Sequence, residues 1–535
     1  MRKRVSVGLA VLIVLASVAP AVGAAERPAA VDAEAAGDDV TPQRADPESD
    51  TVGWEDGYWH DERISVDQSD GLSDAEMDAM VSRAMARVEY LRDTEFSSDV
   101  PVEVISREEF QRRSSENRTS NASYDAWNDQ VWEALFIVGE DRSANEALRS
   151  ASGQSTAGFY APGDDRIRII TDSTGAPTID NATLVHELVH AMQDQNGNLG
   201  ERIGSSETQD GSLAVDGVVE GEANYIETQY TQRCGVEWRC VETPSDGGSG
   251  TGSPPNLGIL LTLLQPYSDG PVYIDWLLER GGWDAVDAAF ADPPNSTEQV
   301  IHRTDEAPTP VEYEDRARNG WETFPNQGEN GSDTVGEASM YVMFWYQART
   351  ARADTIPVQS VARTSGPLDT YNYDAPPSAG WGNDRVFPYY KGSVSDGEYG
   401  YVWVTEWDSE EDASEFARAY GAILEAQGAP GVGDEVEGEY VIPEGRFADA
   451  FRIDRDGTRV TVVNGPTPDA VANIRPPESD GAAGSGSESG AASGTTASAD
   501  EAGGSTGLEA PGFGPLTAVL AVLAAVALAV ARRRD

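Results

Sequence analysis

His186-Glu187-Leu188-Val189-His190 places two imidazoles and a carboxylate at a spacing suited to metal-assisted hydrolysis. On an α-helix, residues four apart lie one above the other on the same face. Two imidazoles so placed can grip one Zn²⁺ while Glu187 reaches a water on the metal. Zinc lowers the pKa of that water towards neutrality, and the carboxylate can take its proton as it attacks a carbonyl. A bare HExxH also occurs without catalysis. Here, however, its flanks, Thr183-Leu184-Val185 and Ala191-Met192, are uncharged and free of Gly and Pro. They predict a buried helix, with Thr183 or Asn181 capping its start. Histidine is scarce: the chain has four, at His60, His186, His190 and His302, and two of them make this pair. Metal binding is the stronger reading.

A third protein ligand is needed. Gln193 and Asn196 stand where a longer, three-histidine version of the motif would have Gly and His, so an acid from a later helix is expected. Residues 216–227 read as that helix, since Val219, Ala223, Ile226 and Tyr230 recur at helical spacing. Glu220, Glu222 and Glu227 all flank this stripe, and periodicity does not choose among them.

HExxH followed about thirty residues later by Glu-Gly-x-Ala-x-Tyr resembles the gluzincin metallopeptidases. In that family the Glu before the Gly is the third ligand, which implies Glu220 here, with Gly221 letting the two helices approach closely. A longer series extends the likeness: HELVHAMQDQ at 186–195, Pro266-Tyr267 with Gly270 and Tyr273, Gly281-Gly282-Trp283, and Pro293-Pro294-Asn295-Ser296-Thr297-Glu298-Gln299 before His302. This series resembles a group of secreted, zinc-peptidase-like proteins of prokaryotes over roughly residues 74–346. It implies an α+β fold: a zincin-like metalloprotease core of mixed sheet, HExxH helix and third-ligand helix. The substrate implied is a peptide or protein. The oxyanion that forms when water attacks needs a donor. His302 is the favoured candidate, with Tyr160, Tyr225 and Tyr273 as phenolic alternatives. A non-catalytic, metal-binding envelope or adhesive protein on the same scaffold is the rival reading.

The elements that must position these residues are legible upstream. Residues 75–92 are helical in pattern, 100–105 alternate like a strand, and 127–140 read as a second helix. Phe159-Tyr160 and Arg166 to Ile170 read as the arms of a hairpin. In zincins such a strand precedes the metal helix and its edge binds extended substrate by strand addition; an ordinary core hairpin fits equally well. Beyond a break at Pro376-Pro377, strands at 401–404, 446–453 and 459–463 and a helix at 409–427 predict a small C-terminal α+β domain.

Composition and the two ends point to where the protein works. Arg2-Lys3-Arg4 and an apolar run to Val22 read as a signal peptide over residues 1–25. An acidic linker is expected at 26–70, the peptidase domain at 71–350 and the smaller domain at 370–476. A Gly/Ser-rich stalk follows at 477–510, then a terminal segment at 511–535. In that segment Leu516 to Ala531 is uninterruptedly apolar and closes on Arg532-Arg533-Arg534, so the body of the chain should lie outside the membrane. Pro511-Gly512-Phe513 resembles the sorting signal that archaeal surface proteins present to an archaeosortase, which implies cleavage and attachment to lipid. A retained transmembrane anchor is the alternative, and both predict a cell-surface location. The formal charge of −54, with only Lys3 and Lys391 as lysines, suits an extreme halophile, where salt screens the self-repulsion. Without a basic patch, nucleic acid is not an expected partner. Cys234 and Cys240, the only cysteines, predict a disulfide. Sequons at Asn117, Asn121, Asn295 and Asn330 are candidate glycosylation sites. A fifth at Asn181 abuts the motif helix and is the doubtful one.

Overall fold

The computed structural model describes residues 40–116, 121–152, 158–171, 174–243, 255–433 and 436–477. The signal peptide, the sequon at Asn117, most of the stalk and the terminal apolar segment lie outside the described residues. Among the described residues no helix is long and apolar enough to cross a membrane. The fold is mixed α+β, with one small and one large sheet plus a two-stranded ribbon.

The small sheet has three strands. Val102–Ser106 runs parallel to Arg166–Thr171, which pairs antiparallel with Gly158–Ala161. The central strand buries Ile167, Ile169 and Ile170, as a β-branched strand covered on both faces should. Gly158–Ala161 is one of the two edge strands and lies against the motif helix, Asn181–Gly197. That helix is buried almost continuously from Asn181 to Gln193, consistent with its uncharged sequence. Its N-cap is neither Thr183 nor Asn181. The Asp180 carboxylate accepts from the Thr183 N–H at 2.9 Å, while Asn181 donates its side-chain N–H to the Val241 carbonyl at 2.8 Å. An aspartate one residue earlier fits the extended backbone of a cap better than a residue already in the helix. A buried, bonded Asn181 also leaves no room for a glycan, whereas Asn121, Asn295 and Asn330 are exposed.

The acid helix, Gln209–Arg233, packs on the motif helix and, more extensively, on a third helix, Gln265–Gly281. A Cβ on Gly221 would lie 2.6 Å from the Gly270 carbonyl carbon, and one on Gly270 would lie 2.6 Å from the Gly217 oxygen. Gly221 therefore serves the crossing with the third helix, not the approach of motif and acid helices expected from the sequence. The acid helix ends at the Cys234–Cys240 disulfide.

Residues 40–70 are not a loose linker. A ribbon, Trp54–Glu55 with Tyr58–Trp59, packs on the helix Asp74–Arg92, and Tyr58 and Ile64 enter the same core as the motif helix. The apolar and aromatic side chains spaced through this acidic stretch are what bury it.

The large sheet is antiparallel throughout. Its order is Trp321–Thr323, Trp381–Lys391, Glu398–Trp407, Arg459–Gly465, Ala450–Asp456 and Gly438–Val441. Both faces are covered. Tyr401 and Trp403 join a core with the helices Ala122–Ala134, Leu257–Leu263, Gly336–Thr350 and Glu410–Ala426, while Val402 and Val404 face a smaller cluster with Ile474. Helices early in the chain thus share a core with this late sheet.

Candidate metal centre

The structure brings His186, His190 and Glu220 together. Their donor atoms lie within 4.8 Å of one another, and none of the three side chains is more than 1% exposed. The Glu220 carboxylate stands 3.1 Å from His186 Nε2 and 3.4 Å from His190 Nε2.

The far side of each imidazole is held. His186 Nδ1 faces Glu227 at 3.1 Å, and His190 Nδ1 faces the Gln193 side-chain amide oxygen, Oε1, at 2.9 Å. Gln193 cannot flip, because its amide N–H groups donate to the Val219 carbonyl and to Glu222, each at 2.9 Å. Its oxygen must accept, so His190 Nδ1 carries the proton and its Nε2 presents a lone pair. Glu227 imposes the same on His186. Glu222 in turn pairs with buried Arg92 at 2.5 Å, and Arg92 also reaches Asp287. The three glutamates that periodicity left equivalent therefore divide the work. Glu220 joins the trio, Glu227 orients His186, and Glu222 anchors Gln193 behind His190.

The donor set fits a metal cation. The Nε2 atoms of two imidazoles converge with a carboxylate, and both His190 Nε2 and Glu220 Oε1 are buried without a hydrogen-bond partner. Oriented imidazoles backed by carboxylate and amide acceptors are the usual support of a zinc site. The electrostatics agree. Burial opposes a charge on His186, but hydrogen bonds to Glu220 and Glu227, and their charges, more than offset it and push its pKa up to about 10. Burial likewise opposes ionised Glu220, yet the two histidines bring it down to about 2. The carboxylates thus favour positive charge at the point where the imidazoles meet.

Glu187 sits inside the same field. Its Oε2 accepts the Tyr160 backbone N–H of the edge strand at 2.7 Å, and its Oε1 is buried with no partner. Burial raises its proton affinity against the opposing pull of the two histidines. The Tyr267 ring lies stacked over His186, with centroids 6.4 Å apart.

His302 is not part of this cluster. It ends the short helix Thr297–His302, and its Nε2 lies 2.9 and 3.0 Å from the two oxygens of Glu337 on the helix Gly336–Thr350. The Glu337 hydrogen bond overcomes desolvation and, with the charges of Glu337, Asp374 and Glu298, pushes its pKa up to about 9. An imidazolium bound to a buried carboxylate is committed to that pair, so the structure does not support His302 as the oxyanion donor. The preceding segment has a structural role. Thr297 donates both its backbone N–H and its hydroxyl to Asp210 at the start of the acid helix, at 2.9 and 2.6 Å. Of the tyrosines, Tyr160 bonds Asp194 through its hydroxyl at 2.9 Å, while Tyr225 and Tyr273 pack against Trp283 and Trp276.

Sequence reasoning missed Gln193, Arg92 and the Tyr160 N–H. Gln193 had a signal: three residues past His190, it lies on the same helical face. Arg92 and Tyr160 meet the site only through the tertiary fold. A cleft of about 650 Å³ opens beside the start of the acid helix, lined by Arg202, Asp210, Asn295, Trp381 and Arg385 among others. None of the trio, nor Glu187, lines it.

A family model described as Domain of unknown function (DUF8575) matches residues 322–475. The match takes in most of the large sheet and the helices Gly336–Thr350 and Glu410–Ala426, and it begins after all of the HExxH and acid-helix residues. No curated protein and no solved structure matches the chain.

Proposed function

We propose that the chain is a zinc-dependent peptidase with a zincin-like core, in which His186, His190 and Glu220 hold the ion and Glu187 is the general base. One observation carries the reading: two oriented imidazoles and a carboxylate meet at one point, with the Glu187 carboxylate in the same buried field. Zinc bound there would supply Lewis acidity and a water of near-neutral pKa. Glu187 Oε1, the oxygen not engaged by Tyr160, is the atom to accept that water's proton. The edge strand Gly158–Ala161 is the place for an extended peptide. An incoming peptide carbonyl would compete with Glu187 for the Tyr160 N–H, freeing the carboxylate as substrate docks.

A second reading has one observation in its favour. Glu187 and the trio are at most 1% exposed, as suits a structural metal site in a non-catalytic envelope protein. Glu187→Gln separates the two. The peptidase reading expects unchanged zinc stoichiometry and a loss of about 10²–10⁴-fold in cleavage of denatured protein in molar salt. Equal cleavage by both proteins, or none by either across a broad peptide library, leaves the envelope reading. We further propose cell-surface attachment through the 511–535 segment. Mass spectrometry of the surface-extracted protein tests it, since retained Arg532 to Asp535 would rule out a processed, lipid-linked tail.

A further inference from the structure

A second group of buried oxygens lies between the helix Ala122–Ala134, with the turn that follows it, and the large sheet. Glu133 and Gln130 belong to the helix Ala122–Ala134, one turn apart on the same face. Glu140 follows in the next turn. Asp449 directly precedes the strand Ala450–Asp456, and Asn464 lies on its neighbour, Arg459–Gly465. The carboxylates of Glu133, Glu140 and Asp449 offer oxygens within 4.8 Å of one another. Glu140 is exposed, whereas Glu133 and Asp449 are each 5% exposed.

The group has donors only on its flanks. Gln130 donates its amide to Glu133 Oε2 at 2.7 Å, and Asn464 donates to Asp449 Oδ2 at 2.9 Å. Among the described residues no donor reaches Glu133 Oε1, and the amide oxygens of Gln130 and Asn464 are likewise buried without partners. No arginine, lysine or histidine pairs with Glu133 or Asp449 among the described residues. Leaving buried carboxylate oxygens unmatched is costly unless something positive faces them.

We propose that Glu133, Glu140 and Asp449 bind a Ca²⁺ ion that fastens the early helices to the large sheet. The donor chemistry selects the cation. Every candidate ligand is a carboxylate oxygen, with no nitrogen or sulfur, the set of a hard cation. Carboxylates carried by a helix, a turn and a strand edge make an irregular cage, which suits Ca²⁺ better than Mg²⁺ with its demand for octahedral geometry. The backbones are already in register around the site. The Glu140 N–H donates to the Arg446 carbonyl at 2.9 Å, and a Cβ on Gly139 would lie 2.4 Å from that same oxygen. Phe136, beside it, packs on Tyr420, Phe447 and Phe451 of the sheet side. Burial and neighbouring acids raise the proton affinity of both Glu133 and Asp449, so a shared proton is the competitor that the ion must displace.

The full chain, stripped of metal and reloaded with Zn²⁺, is titrated with Ca²⁺ in molar KCl by calorimetry and thermal unfolding. The expected result is one equivalent bound above the weak background of the acidic surface. Tm should rise by about 3 °C once Ca²⁺ exceeds its dissociation constant roughly a hundredfold. Both effects should vanish in Glu133→Gln and Asp449→Asn with zinc content unchanged. Should either variant fail to fold, exposed Glu140→Gln still tests the site and should weaken Ca²⁺ binding by about tenfold. A wild-type titration indistinguishable from that of the variants overturns the proposal in favour of a proton shared between carboxyls. An equivalent that survives every variant overturns it too, and an equal or larger Tm rise with Mg²⁺ overturns the choice of Ca²⁺.

Discussion

The glutamates of the acid helix and the acids beside the large sheet are buried in opposite ways. On the acid helix each buried glutamate has a basic side chain: Glu220 and Glu227 face His186, and Glu222 faces Arg92. Towards the sheet, Glu133 and Asp449 lean on amides, and Asp384 collects the indole N–H groups of Trp381 and Trp403 with the backbone N–H of Gly336. The electrostatic outcome divides accordingly. Glu220 is held at about 2 by its histidines, whereas burial pushes Asp449 up to about 7 and Asp210 up to about 8. A buried carboxylate with a cationic partner stays charged and keeps its partner oriented. One with only neutral donors holds a proton or needs an ion.

Glutamine substitutions along the acid helix test the first half of that contrast. Glu222→Gln should have the largest effect on folding, because it removes the charge that neutralises Arg92, which is nearly inaccessible. Asp287 remains, but its side chain is 64% exposed and a weaker partner, so a loss of about 3 kcal/mol is expected in denaturant unfolding. Glu227→Gln should instead spare stability and weaken zinc by about 10–100-fold, since the amide oxygen can still accept from His186 Nδ1 but without charge. Glu220→Gln should lower zinc content furthest of the three. Normal zinc in that variant, or equal zinc loss at all three positions, would erase the division of labour read from the geometry.

How much of this was legible beforehand follows from which interactions are local. The motif, its helix, the hairpin strands and the four C-terminal elements rest on short-range periodicity, and the observed elements overlap the expected ones. What escaped depended on distant segments. Glu220, Glu222 and Glu227 look alike in a helical pattern, and only the positions of Arg92 and the two histidines distinguish them. His302 looked catalytic because histidine is rare here, yet its nearest charged partner, Glu337, is 35 residues away in sequence. Residues 40–70 looked like linker because acids outnumber apolar residues, although Tyr58 and Ile64 suffice to dock them. The expected domain limits likewise followed the chain, whereas helices Ala122–Ala134 and Leu257–Leu263 share the sheet's core.

The smallest effect is a pH dependence that tests the second half of the contrast. Asp210 and Glu298 are pushed up to about 8, and Asp333 and Asp449 to about 7, in each case first by burial. A carboxyl whose folded pKa lies above its unfolded value contributes stability that is full below about 4 and is lost as pH rises through the folded value. His302, raised to about 9, acts in the same direction, losing its contribution as pH rises through that value. The contribution of depressed Glu220 is full above about 4.5 and is lost only as pH falls through about 2, so it is constant between pH 6 and 9 and does not oppose the trend. In molar KCl, Tm should therefore fall steadily between pH 6 and 9. Asp210→Asn should flatten part of that slope, because its Oδ1 bonds to Thr297 can be kept by an amide oxygen while the titrating group is gone. A Tm that rises with pH over this interval would mean that these acids are ionised and matched by cations in the folded chain, and the difference between the two groups of acids would then disappear.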